Sequence, residues 1–144
     1  MHDVASGTLE TILVVDDNAA ILKAVVGILA SANFKVLSAS SGTAALALAA
    51  ETNEQIHMLL SDVDMADMSG PDLGQALKKK RLDMHVMLMS GGSRGNLLVL
   101  NYGWAYIQKP FVSAKLIQMI NEVLHSPDRG QPGGQEFDSR KDKQ

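Results

Sequence analysis

Ile-Leu-Val-Val-Asp-Asp-Asn, residues 12–18, is the stretch of this sequence that decides the fold. Its first four residues form an unbroken apolar run rich in β-branched side chains, which is typical of a strand buried on both faces. The run ends abruptly in Asp16 and Asp17. Asp17 or Asn18 can then cap a helix, because a short polar side chain accepts hydrogen bonds from free backbone N–H groups. The stretch therefore predicts a buried strand, a polar strand end and a helix, in that order.

The same unit recurs along the chain. The predicted strands cover 12–15, 34–37, 57–60, 86–89 and 104–108, and the predicted helices cover 18–33, 41–50, 71–81, 93–101 and 112–124. Strands that alternate with helices imply a parallel sheet with right-handed crossovers. The predicted fold class is therefore α/β, a flavodoxin-like, doubly wound, five-stranded parallel sheet in a (βα)5 three-layer sandwich.

The bulk composition is that of one compact domain. Of the 144 residues, 46% are hydrophobic, which is enough to form a core. The net charge of −3 lacks the basic excess expected of a nucleic-acid binder, and the absence of cysteine excludes a disulfide scaffold. The longest apolar stretch, 19–30, is interrupted by Lys23 and is too short to span a bilayer. We therefore expect a cytoplasmic protein without membrane insertion.

Composition changes at both ends of the chain. Residues 1–10 are polar and lack the pattern of a signal peptide, so we expect a flexible N-terminal segment. Residues 126–144 are dominated by Gly, Pro, Gln and charged side chains, which is typical of a disordered tail. The predicted folded domain is 11–125.

Polar side chains stand where four of the predicted strands end. Asp16 and Asp17 follow the first strand, Asp62 the third, Ser90 the fourth and Lys109 the fifth. The carboxyl ends of parallel strands meet at one edge of such a sheet, so these residues should lie together. Three carboxylates in one crevice stay ionised only beside a cation, and oxygen ligands suit Mg²⁺ or Mn²⁺. A carboxylate there can attack phosphorus and form an acyl phosphate.

Four motifs resemble the receiver domain of bacterial two-component response regulators. They are ILVVDDN (12–18), LLSDVDMADMSGPDL (59–73), LMSGGS (88–93) and YIQKPF (106–111), and the resemblance covers roughly residues 11 to 125. It implies that Asp62 is the phosphoacceptor.

The resemblance also implies a metal site. Asp17 and Asp62 would hold the metal together with the backbone carbonyl of Asp64, and Asp16 would act largely through a metal-bound water. The expected cofactor is Mg²⁺ or Mn²⁺.

Three further roles are implied near the ends of the last two strands. Ser90 matches the switch hydroxyl, Tyr106 the switch aromatic residue and Lys109 the phosphate-binding lysine. The Lys109–Pro110 peptide bond is often cis in the family, and X–Pro is the only bond where that form is inexpensive.

The sequence departs from the family pattern in two places. Met65-Ala66-Asp67-Met68 stands where the family has Met-Pro-Gly-Met, which changes the loop and adds a negative charge. We expect Asp64 and Asp67 to be solvated loop acids. Ser90 and Lys109 are 19 positions apart, a few fewer than in the family, so we expect an abbreviated or irregular region at 93–103.

The partners follow from the resemblance. A histidine kinase or a phosphotransfer protein would be the phosphodonor, and a protein of unknown identity would respond to the phosphorylated form. We expect a monomer or weak dimer that undergoes slow autodephosphorylation and is not a turnover enzyme. A stand-alone regulator, a phosphorelay intermediate and the receiver of a hybrid kinase stay open.

Two alternative functions also stay open. A haloacid-dehalogenase-like phosphatase would use Asp62-Val63-Asp64 as its nucleophile and acid, but its acidic metal pair should follow the lysine, whereas Asp16 and Asp17 precede it. A pseudo-receiver would never bind phosphate, but it normally lacks one of the key residues, and all are present. An FMN-binding flavodoxin is disfavoured because the first loop carries acids where a phosphate cradle needs Gly, Ser and Thr.

Overall fold

A computed structural model describes residues 9–92 and 102–125. Within them, five parallel strands form one sheet in the order β2-β1-β3-β4-β5, with β1 at Thr11–Val15, β2 at Lys35–Ala39, β3 at Met58–Asp62, β4 at His85–Ser90 and β5 at Ala105–Gln108. The helices are α1 (Ala19–Ser31), α2 (Gly42–Glu51), α3 (Gly70–Lys78) and α4 (Ser113–His125). This order, with β1 between β2 and β3, confirms the doubly wound prediction. The helix predicted at 93–101 lies outside the described residues.

Helices cover both faces of the sheet. Ile12 and Val14 of β1 point to one face, and Leu13 and Val15 point to the other, as the two-residue period of a strand requires. The face of Leu13 and Val15 packs against α2 and α3 through Ala45, Ala49, Leu73 and Leu77. The face of Ile12 and Val14 packs against α1 and α4 through Val25, Leu29, Leu116 and Ile120. These two cores give the three layers that the sequence predicts.

Polar caps start three of the helices. The side chains of Asn18, Ser41 and Ser69 accept from the backbone N–H groups of Ile21, Ala44 and Asp72. Each bond satisfies a donor that the first turn of a helix leaves without an intrahelical partner. The caps fix where α1, α2 and α3 leave the carboxyl edge of the sheet. Among the helices of the described residues, none is long and apolar enough to cross a membrane.

Every predicted strand differs from the observed one by one or two residues at one or both ends, and the second and third strands are displaced as a whole. The second strand is Lys35–Ala39 and not 34–37, because the backbone N–H of Phe34 bonds to the Leu29 carbonyl in the turn that ends α1. Asn33 adopts a left-handed φ of 71° in that turn, a conformation that asparagine tolerates. The third strand is Met58–Asp62 and not 57–60, since Ser61 and Asp62 still pair with β4.

Candidate functional site

The carboxyl edge of the sheet brings Asp16, Asp62 and Lys109 into direct contact. The Lys109 Nζ atom lies 3.0 Å from Asp62 Oδ1 and 3.2 Å from Asp16 Oδ2. Asp16 is fully buried and Asp62 is 8% exposed. Charged groups are buried in proteins only when they are paired, and one ammonium group here serves both carboxylates. The structure therefore confirms that these strand ends converge.

Local backbone contacts hold this cluster in place. The second carboxylate oxygen of Asp16 accepts from the Asn18 N–H at 2.8 Å, so both oxygens are engaged. The backbone N–H of Lys109 donates to the Ser90 carbonyl at 2.8 Å and fixes the start of the lysine side chain. The Asp16 carboxylate and the Lys109 backbone are thus each held by a hydrogen bond.

Asp17 completes an all-oxygen site. Carboxylate oxygens of Asp16, Asp17 and Asp62 all lie within 4.8 Å of one another, and Asp17 is exposed where the other two are buried. Hard oxygen donors of this kind suit Mg²⁺, which keeps several waters and therefore needs an open side. When all groups are ionised, a single ammonium leaves two negative charges uncompensated. The donor set, its charge and its open side therefore fit a divalent cation.

The environment shifts the pKa of two members of the cluster. Burial raises the pKa of Asp62 above its usual value, and the nearby charges of Asp16 and Asp17 add to this, while the hydrogen bond from Lys109 opposes it. Burial acts to lower the pKa of Lys109, but its bonds to Asp62 and Asp16 outweigh that effect and the pKa is raised. Lys109 is therefore a permanent cation at neutral pH, beside a carboxylate that lacks full compensation.

The backbone around Asp62 requires a glycine at position 70. A Cβ atom there would collide with the carbonyl oxygen of Asp62. The Gly70 N–H donates to the Val63 carbonyl at 2.8 Å, and the Ser61 hydroxyl donates to the Asp62 carbonyl at 2.9 Å. The loop after β3 therefore turns tightly under Asp62 before α3 begins.

The remaining predicted residues lie on β4, on β5 and in the loop after β3. Ser90 ends β4, is 2% exposed, and accepts through Oγ from the Gly92 N–H at 3.3 Å. Tyr106 lies in β5 opposite Leu88 and packs against the core on the α2 and α3 face. Asp64 is exposed in the loop between β3 and α3. The Lys109–Pro110 bond is cis, as the resemblance predicts.

The hydrogen bonds of Asp67 to the start of α2 were not predicted from the sequence. Asp67 is exposed, but it is not merely solvated, because its carboxylate accepts three hydrogen bonds from Gly42 and Thr43 at the start of α2. Bonds from Thr43 and Gly42 lower its pKa to about 2. The start signal of α2 was readable at Ser41. Nothing in the sequence indicated that Gly42, at the start of α2, would bond to Asp67, 25 positions later.

Comparison with known proteins shows a family match over most of the chain. Residues 12–121 match the response regulator receiver domain family. The chain is 30% identical over 121 residues to the sensor kinase CckA of Brucella abortus (strain 2308), covering 82% of this chain but only 13% of that kinase.

Two solved structures share both the fold and part of the sequence. A CheY-like receiver domain protein from Methanospirillum hungatei JF-1 is 31% identical, with a TM-score of 0.75 over 86% of this chain and 100% of that one. The response regulator TrrA from Thermotoga maritima, in complex with Mg²⁺ and BeF, is 25% identical, with a TM-score of 0.69 over 81% of this chain and 100% of that one. The chain belongs to the response regulator receiver domain family of two-component signalling.

Proposed function

We propose that Asp62 is the phosphoacceptor of this receiver domain. The observation that carries the proposal is the contact of one partly buried ammonium, Lys109, with the carboxylates of Asp62 and Asp16 beside the exposed Asp17. Asp62 is the member of the acidic group that stands at the end of a central strand and retains slight exposure. It is therefore both fixed in position and accessible to a donor.

The phosphodonor we propose is a phosphohistidine of a histidine kinase or a phosphotransfer protein. An Asp62 carboxylate oxygen attacks the phosphorus and forms the acyl phosphate bond. The P–N bond breaks, and its electron pair returns to the imidazole nitrogen. Lys109 stabilises the negative charge on the transferred oxygens, since its ammonium already lies 3.0 Å from the attacking carboxylate.

The proposed cofactor is Mg²⁺, or Mn²⁺ with the same ligands. Asp16, Asp17, Asp62 and the backbone carbonyl of Asp64 would hold it. When bound, it supplies positive charge that offsets the carboxylates and the incoming phosphoryl oxygens. The Mg²⁺ complex of the Thermotoga maritima relative supports this choice.

The proposed output uses Ser90 and Tyr106. The Ser90 hydroxyl would hydrogen-bond the phosphoryl group, and Tyr106 would change its packing in response. The backbone bond from Lys109 to the Ser90 carbonyl supports this coupling, because it joins the ends of β4 and β5 directly. A downstream protein of unknown identity would recognise the altered surface.

The remaining expectations are also proposals. They are a cytoplasmic location, a monomer or weak dimer, slow autodephosphorylation, and a receiver unit bounded near 11 and 125. The similarity to the kinase CckA supports a phosphorelay setting, but the chain spans 13% of that protein, and a stand-alone regulator fits equally well.

Phosphorylation by a small donor tests the function. Acetyl phosphate with Mg²⁺ should add one phosphoryl group to the intact protein by mass spectrometry, and Asp62→Asn should abolish the addition. Asp72→Asn, which changes an exposed acid in the first turn of α3, should still be labelled. An unchanged wild-type mass, where another receiver is labelled, would support the pseudo-receiver alternative. Sustained turnover of a phosphomonoester with Mg²⁺ would instead support a phosphatase.

A further inference from the structure

The loop between β3 and α3 bonds to one of the ligands of the proposed metal site. The backbone N–H of Ala66 donates to Asp17 Oδ2 at 3.0 Å. Asp17 is exposed and lies on the segment between β1 and α1, 49 positions earlier. The bond therefore restricts the rotation of an exposed carboxylate. A proline at position 66 could not make this bond, because it has no N–H group.

The next residue anchors the same loop on α2. Asp67 Oδ1 accepts from the Gly42 N–H at 3.1 Å, and Asp67 Oδ2 accepts from the Thr43 N–H and from the Thr43 hydroxyl, each at 2.7 Å. Ser41 Oγ accepts from the N–H of Ala44, the following residue of the helix. Ser41 and Asp67 together satisfy three backbone donors that the start of a helix leaves unpaired. A carboxylate is also favoured at this positive end of the helix dipole.

Met68 adds a packing contact at the same helix start. A Cβ atom at Gly42 would collide with the Met68 side chain, so the loop lies directly on the helix backbone. Ala66, Asp67 and Met68 are therefore held in succession by Asp17, by the N-terminal N–H groups of α2 and by Gly42. Because Asp64 lies two residues before Ala66, a fixed loop also limits the position of the Asp64 carbonyl.

We propose that Asp67 is a positioning residue for the metal site, which acts by holding the Ala66 N–H against the Asp17 carboxylate. The inference rests on the proposed function, in which Asp17 and the Asp64 carbonyl are metal ligands. Asp67 itself does not reach the acidic cluster, since its two oxygens are engaged at α2. Its effect passes through one residue, from the helix start to Ala66. Outer partners that orient a metal ligand typically change metal affinity by about 10- to 100-fold.

Two measurements on the full chain test the inference. In the metal-free protein, Asp67→Ala should speed the hydrogen exchange of the Ala66 amide by about tenfold, because the loop is no longer anchored. A Mg²⁺ titration followed by backbone amide shifts should show binding weakened by about tenfold. Asp83→Asn removes an equal charge from an exposed position between α3 and β4 and should change neither quantity.

A milder variant covers the case in which Asp67→Ala fails to fold. Thr43→Val removes the hydroxyl donor and leaves the backbone bonds from Gly42 and Thr43 to Asp67 in place. It should therefore give a smaller increase in the exchange of the Ala66 amide and a smaller loss of Mg²⁺ affinity. Asp67→Asn retains one carbonyl acceptor and should restore part of the protection of the Ala66 amide.

The outcomes separate this inference from the proposed function. Folded Asp67→Ala protein with wild-type Mg²⁺ affinity, or with unchanged exchange at Ala66, would overturn the positioning role. A wild-type protein that binds no Mg²⁺ would overturn the proposed metal site instead. The exchange of the Ala66 amide would then still show whether Asp67 holds the loop.

Discussion

Lys109 illustrates how much the site depends on one side chain. Its ammonium contacts two carboxylates whose burial would otherwise be unfavourable, so replacing it leaves like charges facing each other. We expect Lys109→Met to lower the free energy of unfolding without metal by about 2 kcal/mol, measured by urea denaturation. Added Mg²⁺ should stabilise this variant more than the wild type, because the cation then relieves more repulsion.

An exposed lysine supplies the control for that experiment. Lys115 lies on the outer surface of α4, and Lys115→Met removes the same charge without touching the site. Its stability and its response to Mg²⁺ should match those of the wild type. Equal Mg²⁺ responses in the Lys109 and Lys115 variants would contradict the role of Lys109 in compensating the carboxylates.

Asp67 makes stability depend on pH in a defined direction. Its pKa falls from 3.8 to about 2 on folding, so the folded state favours the ionised form. The stability that this gives is fully present above about 3.8 and is lost as the pH falls towards about 2. We expect the difference in melting temperature between wild type and Asp67→Asn to be constant near neutral pH and to shrink across that window. A difference that grows on acidification would contradict the assigned bonds.

The residues of the acidic cluster were predictable, and Asp67 was not, for a physical reason. Strand ends in a parallel sheet converge by topology, so placing Asp16, Asp62 and Lys109 after apolar runs was enough to bring them together. The partners of Asp67 depend instead on the path of a loop. Gly42 and Thr43 carry no side-chain feature that identifies a carboxylate acceptor in a later loop.

Two glycines at helix positions should respond to substitution by alanine in opposite ways. Gly70 begins α3 directly beneath the Asp62 carbonyl, and a Cβ atom there collides with that oxygen. Gly27 lies inside α1, with nothing within 4 Å of an added Cβ. Gly27→Ala should raise the free energy of unfolding by about 0.5–1 kcal/mol, because alanine is the better helix former.

Gly70→Ala should instead destabilise the protein, by about 2 kcal/mol or more, because the backbone has to move to separate the new Cβ atom from the Asp62 carbonyl oxygen. It should also weaken phosphorylation by acetyl phosphate, since the loop under Asp62 shifts with it. Chemical denaturation of both variants measures the contrast. A Gly70→Ala protein as stable as Gly27→Ala would show that the turn beneath Asp62 is looser than described.

The elements themselves were largely predictable from apolar runs and caps. Their ends were less so, because an apolar residue can belong to a strand or to the turn before it. Phe34 is buried, yet its N–H completes the end of α1 and not the ladder of β2. Conversely, the polar Ser61 and Asp62 continue β3, since pairing with β4 decides where that strand ends.

The described part of the chain is a sheet with one core on each face, and the two cores are closed by elements far apart in sequence. The face of Ile12 and Val14 needs α4, which contributes the fully buried Leu116 and Ile120. The alternation of strands and helices predicted that helices cover both faces of the sheet, but it did not indicate which helix covers which face. That assignment follows from strand order, with β1 in the middle and β5 at an edge.

The two cores predict which part of the chain folds by itself. The described residues of both cores lie within residues 9–125, so we expect a chain truncated to that range to unfold cooperatively, with a melting temperature close to that of the full chain. A chain ending at residue 112 lacks α4 and exposes the part of the Ile12 and Val14 face that α4 covers. Burying one large apolar side chain contributes about 1.5–3 kcal/mol, and a domain is stable by only about 5–15 kcal/mol. The loss of Leu116, Ile120 and their neighbours should therefore abolish the cooperative unfolding transition.

Differential scanning calorimetry of the full chain, of residues 9–125 and of the chain ending at residue 112 tests both expectations. A cooperative transition in the shortest chain would contradict the dependence on α4, and a large loss of stability in 9–125 would place part of the folding unit outside that range.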